Sequence, residues 1–502
     1  MHTVTSFSLL PFSRATYKSF EKRHHQKIIL KVFLLVIAIF CFTTVNAQKK
    51  ISSKKLHEDF DYLIEELQLQ HQGLYQYVGV QQTDREIDSI RQTLQNPMTR
   101  LEFYKKLRYV IGLTNEGHTS IALPNWTMFK IGISKSFLPL AVKLCDQDLI
   151  VTQNFGKDIN GITNGVKLIA INDKTIPEIL EQLYPLIPTD GFNETSKHEW
   201  VGGLHFSLLY RLVYGKEKKL ELQVQEFGSN AIKKISIPPI RFTTFKNKNA
   251  KFKSKHFDYQ EFKFEAINDS IAYLSVPSFS RDDSNHKDFF QTSFKKIDSL
   301  NIKHLILDVQ ANGGGTEGTE TLLFSYLSKE VIQKYKQVTM LQKPYHKNKH
   351  KHGYIEDDWA IGDTIAKRGE YTLFTDYYSD LYYEKPDPEL IYSGKVYVLI
   401  SGATFSGGAE FASLMKMTDR AVFIGEETGG TYEGNVSGYS ETITLPYSKV
   451  EVDIPTVHFQ MNVSPEIKGR GVMPDFKVPQ SWEAYLYMKN AKKEFAIELI
   501  TE

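Results

Sequence analysis

The chain has 502 residues, of which 24% are charged and 41% hydrophobic, and its 61 Lys and Arg against 59 Asp and Glu leave a formal net charge of +2. That length admits more than one domain, and the even charge balance excludes a basic nucleic-acid-binding surface. Lys27 and Lys31 flank the start of an apolar run from Ile28 through Phe42, which Val45-Asn46-Ala47 closes with small residues before Gln48. This is the layout of a secretory signal peptide over residues 1–47, with an over-long start, too short and wrongly flanked for a membrane span. The expected location is secreted or periplasmic, with membrane contact only through an uncleaved signal segment. Phe40 before Cys41 argues against a lipoprotein cleavage site. After processing only Cys145 remains, which excludes an internal disulfide and reads as a small core residue within the apolar stretch from Leu138 to Ile150.

The mature chain opens with a helical unit, residues 52–125. Leu56, Phe60, Leu63, Ile64 and Leu67 recur on one helical face, and a further helix around Leu101 to Val110 leads into Leu113-Thr114-Asn115-Glu116-Gly117-His118-Thr119-Ser120. Short strands follow over residues 136–240. There Gly165 to Asn172, GVKLIAIN, resembles the strand and turn of PDZ domains, which capture extended peptides by adding a strand to a sheet edge. A structural or gating role is the alternative.

Residues 255–480 alternate buried strand runs with helix faces, an α/β pattern. Ile271 to Val276 predicts a strand, and Phe290, Phe294 and Ile297 a helix face. Leu305 to Val309 is a buried strand that runs into Asn312-Gly313-Gly314-Gly315, with a helix expected from about Glu317. Three glycines in succession let bare backbone approach a ligand, and their N–H groups can line an anion-binding concavity. A phosphate loop is disfavoured, since no Lys-Ser or Lys-Thr follows. Between Ser328 and Gly394 lies an aromatic, charged insertion expected as a long loop, with a basic tract from His346 to His352 read as a solvated loop rather than a metal site. Residues 481–502 predict one C-terminal helix.

Val396 to Gly430 carries the strongest functional signal. A buried strand, Val396 to Ile400, is broken by Gly402, and Ser406 precedes Gly407 and Gly408 at the start of a helix marked by Phe411, Leu414 and Met415. A serine so placed has a helix N-terminus beneath it and small neighbours beside it, as a nucleophile requires. The competing reading is an ordinary helix N-cap. If Ser406 is a nucleophile, the N–H of Gly407 and one from Gly313, Gly314 or Gly315 would form a two-donor oxyanion hole.

Four motifs in order, LILDVQANGGG, VLISGATFSGGAEF, AVFIGEETGG and GRGVMPDFKVP, resemble the C-terminal processing (tail-specific) serine peptidases, with the tricorn core protease and the interphotoreceptor retinoid-binding modules as relatives. The resemblance implies a crotonase-like or ClpP-like α/β catalytic domain, a PDZ-like domain before it, and peptide-bond hydrolysis at Ser406. One branch activates its serine with a lysine in a later Gly-Lys-Gly turn. Here that turn reads Gly429-Gly430-Thr431-Tyr432, and neither Lys416 nor Lys449 is placed to substitute. The tricorn-like branch instead takes a histidine from a motif like that around His118, and a downstream glutamate. On this resemblance His118 is the general base. Relatives place the glutamate just before the last motif, where Lys468 stands here, so Glu466 is taken as the third member, against the alternative of a solvated loop carboxylate. Glu410, Glu426, Glu427 and Asp475 read as architectural, with Glu426 a neighbour of the site.

The expectation is therefore a serine endopeptidase acting on peptides or unfolded protein, with no metal or organic cofactor and no nucleic-acid partner. Tricorn-like relatives imply a homo-oligomer. The displaced glutamate keeps a second class in view, a catalytically weakened relative that binds a peptide or apolar ligand.

Overall fold

The apolar runs of the C-terminal half form a six-stranded sheet in the order Phe476–Lys477, Val422–Gly425, Lys395–Ile400, His304–Asp308, Ile271–Ser275 and Lys263–Ala266, parallel throughout except at the last pair. The computed structural model describes residues 50–156, 162–249, 257–280, 286–330, 332–341, 365–368, 371–374, 388–465 and 467–502. The sheet is covered on both faces, which is why its strands read as unbroken apolar runs rather than alternating ones. Leu305, Leu307, Val398 and Ile400 pack against Phe290, Phe294, Phe411 and Leu414, whereas Ile306, Tyr397, Leu399 and Ile424 pack against Ala496 of the last helix. The C-terminal ends of the parallel strands therefore deliver the Asn312 loop, the Ser406 turn and the Gly429 turn to one edge, where ligands bind in open α/β sheets.

A second sheet runs Ser120–Ala122, Glu451–Met461, Tyr335–Leu341, Tyr371–Phe374 and Ile365–Arg368, with Gly434–Thr444 also paired to Glu451–Met461. Part of the segment expected as a long loop is thus strand. Its sequence, YKQVTML, does not alternate cleanly, because Val338 and Thr339 are both buried. The basic tract from His346 to His352 lies outside the described residues. This sheet also docks the N-terminal unit: Ser120, Ile121 and Ala122 pair antiparallel with Asp453, Val452 and Glu451. The pairing begins two residues after His118.

The N-terminal helices span Ser53–Gln70, Val80–Gln92 and Arg100–Leu113. Leu56, Phe60, Leu63 and Leu67 are buried as the spacing requires. A third, antiparallel sheet holds Leu140–Cys145, Asp148–Asn154, Lys167–Ile171, Leu220–Gln225 and Ile232–Ile237, with Lys174–Thr175 paired to the third of these. Cys145 ends the first of these strands and packs against Ile150, Phe257, Tyr259 and Tyr485, and burial pushes its thiol up to about 12, so it is packing rather than nucleophile. The chain end is two helices, Trp482–Leu486 and Ala491–Thr501, not one. Met488 adopts φ 58°, and the Asn490 side chain accepts a hydrogen bond from Lys493 N–H, which stops the first helix and starts the second.

Ser52–Glu502 forms one unit; of the preceding Met1–Ile51 only Lys50 and Ile51 are described, so the segment read as a signal peptide lies outside the described residues. Among the described residues no helix is long and apolar enough to cross a membrane.

Candidate active site

Ser406 stands at the N-cap position of the helix Gly407–Met417, yet its side chain makes no capping hydrogen bond. Its backbone sits at φ 50°, ψ −129°, a region that L-residues seldom occupy and that costs of order 1–3 kcal/mol. A plain N-cap has extended dihedrals and spends its hydroxyl on the backbone. Ser406 does neither, and it stays partly exposed. The turn is held from below: Ser401 Oγ donates to Gln310 O at 2.6 Å, Thr404 Oγ1 to Val309 O at 3.0 Å, and Phe405 N–H to Asn312 O at 2.9 Å. These bonds tie the serine turn to the glycine loop, so the two move as one.

The glycines divide in role. Gly314 N–H donates to Asn312 Oδ1 at 2.9 Å and is buried, so it shapes the loop and is not a free donor. A Cβ on Gly314 would lie 2.7 Å from both Gly407 N and Ser406 Cβ, at φ 92°, so only glycine lets the loop approach this closely. Gly313 and Gly315 are exposed, Gly407 is partly so, and Gly407 heads the helix where N–H groups lack intrahelical partners. Gly313, Gly315 and Gly407 thus remain as the candidate oxyanion donors.

Beneath Gly407 lies a buried ion cluster. Lys334 Nζ sits 2.6 Å from Glu320 Oε1, 2.6 Å from Glu410 Oε2 and 3.1 Å from Glu317 Oε1. Tyr335 OH lies 2.7 Å from Glu317 Oε1 and 2.9 Å from Glu410 Oε2, and Asn435 Nδ2 donates to Glu410 Oε1 at 2.9 Å. Burial alone would lower the Lys334 ammonium, but the surrounding carboxylates outweigh it and hold it well above its ordinary range. Glu410 is therefore architectural, as the sequence suggested. So is Glu427, which Arg470 grips with Nε and Nη2, while Glu426 pairs with Lys492 at 3.0 Å.

His118 meets the serine turn through Phe405. The imidazole and the Phe405 ring stack at 4.7 Å with an interplanar angle of 29°. Gly117 makes room for this, since a Cβ there would fall 2.8 Å from Phe405 Cζ. The ring keeps 21% of its side-chain surface exposed, and burial lowers its pKa against the raising effect of Asp190 and Glu410. Nδ1 lies 2.8 Å from Glu116 Oε1, a carboxylate that is almost fully buried. A carboxylate there makes Nδ1 the protonated nitrogen and leaves the Nε2 lone pair for a proton.

The carboxylate beside the imidazole is thus Glu116, two residues before it. Glu466 lies outside the described residues. Glu116 belongs to the same Leu113–Ser120 motif as His118. A second carboxylate, Asp190, arrives from the loop after the helix Ile176–Leu183, and its Oδ1 accepts from Gly117 N–H at 2.8 Å. One carboxylate oxygen each of Glu116 and Asp190 and a ring nitrogen of His118 all lie within 4.8 Å of one another. The Gly429-Gly430 turn closes this side: a Cβ on Gly430 would sit 3.3 Å from Ser406 N and 3.5 Å from Asp190 Oδ2. Sequence reading gave no signal for Asp190, which stands in an irregular loop far from both motifs.

No curated protein sequence matches the chain. Crystal structures of CPAF are similar in fold. Mature CPAF superposes with TM-score 0.60 at 15% identity, over 89% of this chain and 96% of that one. Mature CPAF complexed with lactacystin gives 0.59 at 15%, over 89% and 97%. A mutant CPAF gives 0.62 at 16%, over 89% and 96%. Residues 270–478 match the model of peptidase family S41. That span holds the central parallel strands, the Asn312 loop and the Ser406 turn, and the chain carries a peptidase family S41 domain.

Proposed function

We propose that this chain is a serine endopeptidase of the tail-specific type, exported through its N-terminal segment, that cleaves peptides or the C-terminal regions of proteins. The observation that carries the reading is the backbone of Ser406, held at φ 50° with its hydroxyl unspent while its neighbour Phe405 stacks on His118. In this reading Ser406 Oγ attacks the scissile carbonyl and His118 Nε2 takes its proton. Glu116 fixes the tautomer and stabilises the imidazolium, and the Gly407 N–H with one from Gly313 or Gly315 holds the oxyanion. Phe405 stacking orients the ring without supplying a polar group.

The mechanism places every charge change on this chain's own groups. The His118 proton returns to the leaving amine, and water then repeats the sequence on the acyl-enzyme. The sheet built on Lys167–Ile171 offers the peptide-capturing element, by strand addition in the PDZ manner. The alternative of a binding protein without turnover was raised by the displaced glutamate, and the Glu116 carboxylate beside His118 Nδ1 favours turnover over it.

The test is hydrolysis of an unfolded protein substrate by the chain lacking residues 1–47, with product termini read by mass spectrometry. Internal cleavage by the parent and none by Ser406→Ala supports the proposal. Equal cleavage by both, or tight peptide binding without cleavage, sinks it.

A further inference from the structure

The hydrolytic reading leaves Asp190 without a task, although its carboxyl is fully buried between the base and the serine turn. Its hydrogen bonding is lopsided. Oδ1 accepts from Gly117 N–H at 2.8 Å, whereas the buried Oδ2 receives no donor. Glu116, by contrast, is richly supplied. Oε1 accepts from His118 Nδ1 at 2.8 Å and His118 N–H at 3.2 Å, and Oε2 accepts from Val436 N–H at 2.6 Å. One oxygen of each of the two carboxyls also lies within 4.8 Å of the other.

Two ionised carboxylates cannot hydrogen-bond to each other, and one negative charge in a buried pair excludes a second nearby. The anion belongs on the carboxylate that collects donors. That is Glu116, and the proton then belongs on the donor-poor oxygen, Asp190 Oδ2. We propose that Asp190 is a positioning residue, held as the neutral acid and donating its proton to Glu116, so that the pair presents one negative charge to His118 Nδ1. The proton stays on Asp190 throughout turnover; no bond to it breaks. Burial and the Glu116 charge both push the Asp190 carboxyl well above its ordinary value, in agreement with this state.

The arrangement has a purpose. A dianion beside His118 would over-stabilise the imidazolium and leave no free base near neutral pH, whereas a buried Glu116 without the Asp190 proton would keep one lone pair unmet and lean toward its own protonated form. The other titratable groups facing the trio are Tyr77, from the segment after the first helix, and Glu410, from the serine helix, while Glu433 acts on Tyr77 and accepts from Gly469 N–H at 3.0 Å. Tyr77 OH lies 3.5 Å from Thr431 Oγ1, and burial raises its pKa well above the ordinary value, so it stays neutral here. Glu410 is held by Lys334.

The inference rests on His118 as the base of the proposed reaction, but its test does not require turnover. In the Ser406→Ala background, the His118 titration midpoint is read by NMR with and without Asp190→Asn, whose amide keeps a donor toward Glu116 and an acceptor for Gly117. A neutral Asp190 predicts an unchanged midpoint. An ionised Asp190 within 4.8 Å of the imidazole predicts a fall of roughly two units on losing its charge, and that result overturns the proposal. With Ser406 restored, Asp190→Ala should lower kcat by about ten-fold to a hundred-fold with little change in KM, and Asp190→Asn should recover most of that loss. Failure of Asp190→Asn to outperform Asp190→Ala also counts against the assignment. Absence of any Ser406-dependent hydrolysis in the unaltered chain would refute the peptidase reading, yet leave the NMR result to decide this one.

Discussion

Replacing Glu116 by Gln removes one charge and changes almost no volume, which makes it the sharpest probe of the base. Oε1 takes two donors from His118, and Oε2 takes one from Val436 beside the proton proposed on Asp190, so every lone-pair direction of this carboxylate meets a donor. The amide nitrogen of Gln has no acceptor to face. Turned toward His118 it forces the proton from Nδ1 to Nε2, the tautomer that cannot accept from serine; turned toward Val436 it leaves two donors opposed. In addition the imidazolium loses a counter-charge at a separation of about 4 Å, worth about 4 kcal/mol at an effective dielectric near 20. Together these predict a kcat lower by roughly a thousand-fold or more, with KM little altered. The assay is steady-state peptide hydrolysis across pH, with circular dichroism to confirm the fold. A Glu116→Gln enzyme within a few-fold of the parent would refute the argument and return the orienting role to another carboxylate, with Glu466→Gln the next variant to measure.

Three further outcomes follow from the same geometry. Gly314→Ala should abolish activity while the chain still folds, because the added methyl would fall 2.7 Å from Ser406 Cβ and Gly407 N; wild-type kcat with an unshifted melting curve would contradict the close approach. Lys334→Met should cost about 3–5 kcal/mol in urea unfolding, since Glu320 and Glu410 would be left buried and uncompensated; a loss under about 1 kcal/mol would mean that those carboxylates are not ionised together. Burial holds His71 down to about 4 against an ordinary value of 6.5, so the unfolded chain binds a proton first as pH falls. Stability is then whole above the ordinary value and falls by about 3 kcal/mol as pH drops toward 4. His71→Gln should flatten that decline, and unfolding curves at pH 7 and near pH 4 that match the parent would contradict it.

Much of the catalytic sheet was legible because burial on both faces writes a continuous apolar run. Val396 to Ile400 and Leu305 to Val309 needed no other signal, and the glycines after each marked a close approach that the structure contains. His118 was legible only through its motif, since nothing in its local pattern says that a strand pairing at Ser120 will carry it to the serine turn. The rest was hidden for separate physical reasons. Glu116 was in plain view, but a carboxylate two residues from a histidine reads as an ordinary loop charge until burial is known. Asp190 is joined to its partners purely by tertiary contact. The break at Met488 escaped because no glycine or proline marks it, and the strand Tyr335–Leu341 escaped because Val338 and Thr339 disrupt its alternation.

Covalent capture of the nucleophile tests the central claim most directly. The chain lacking residues 1–47 is treated with a fluorophosphonate and digested, and the adduct is mapped by mass spectrometry in the parent and in His118→Gln. A single adduct on Ser406, formed far more slowly when His118 is replaced, is the predicted result. An unmodified Ser406, or equal labelling with and without His118, would contradict the account.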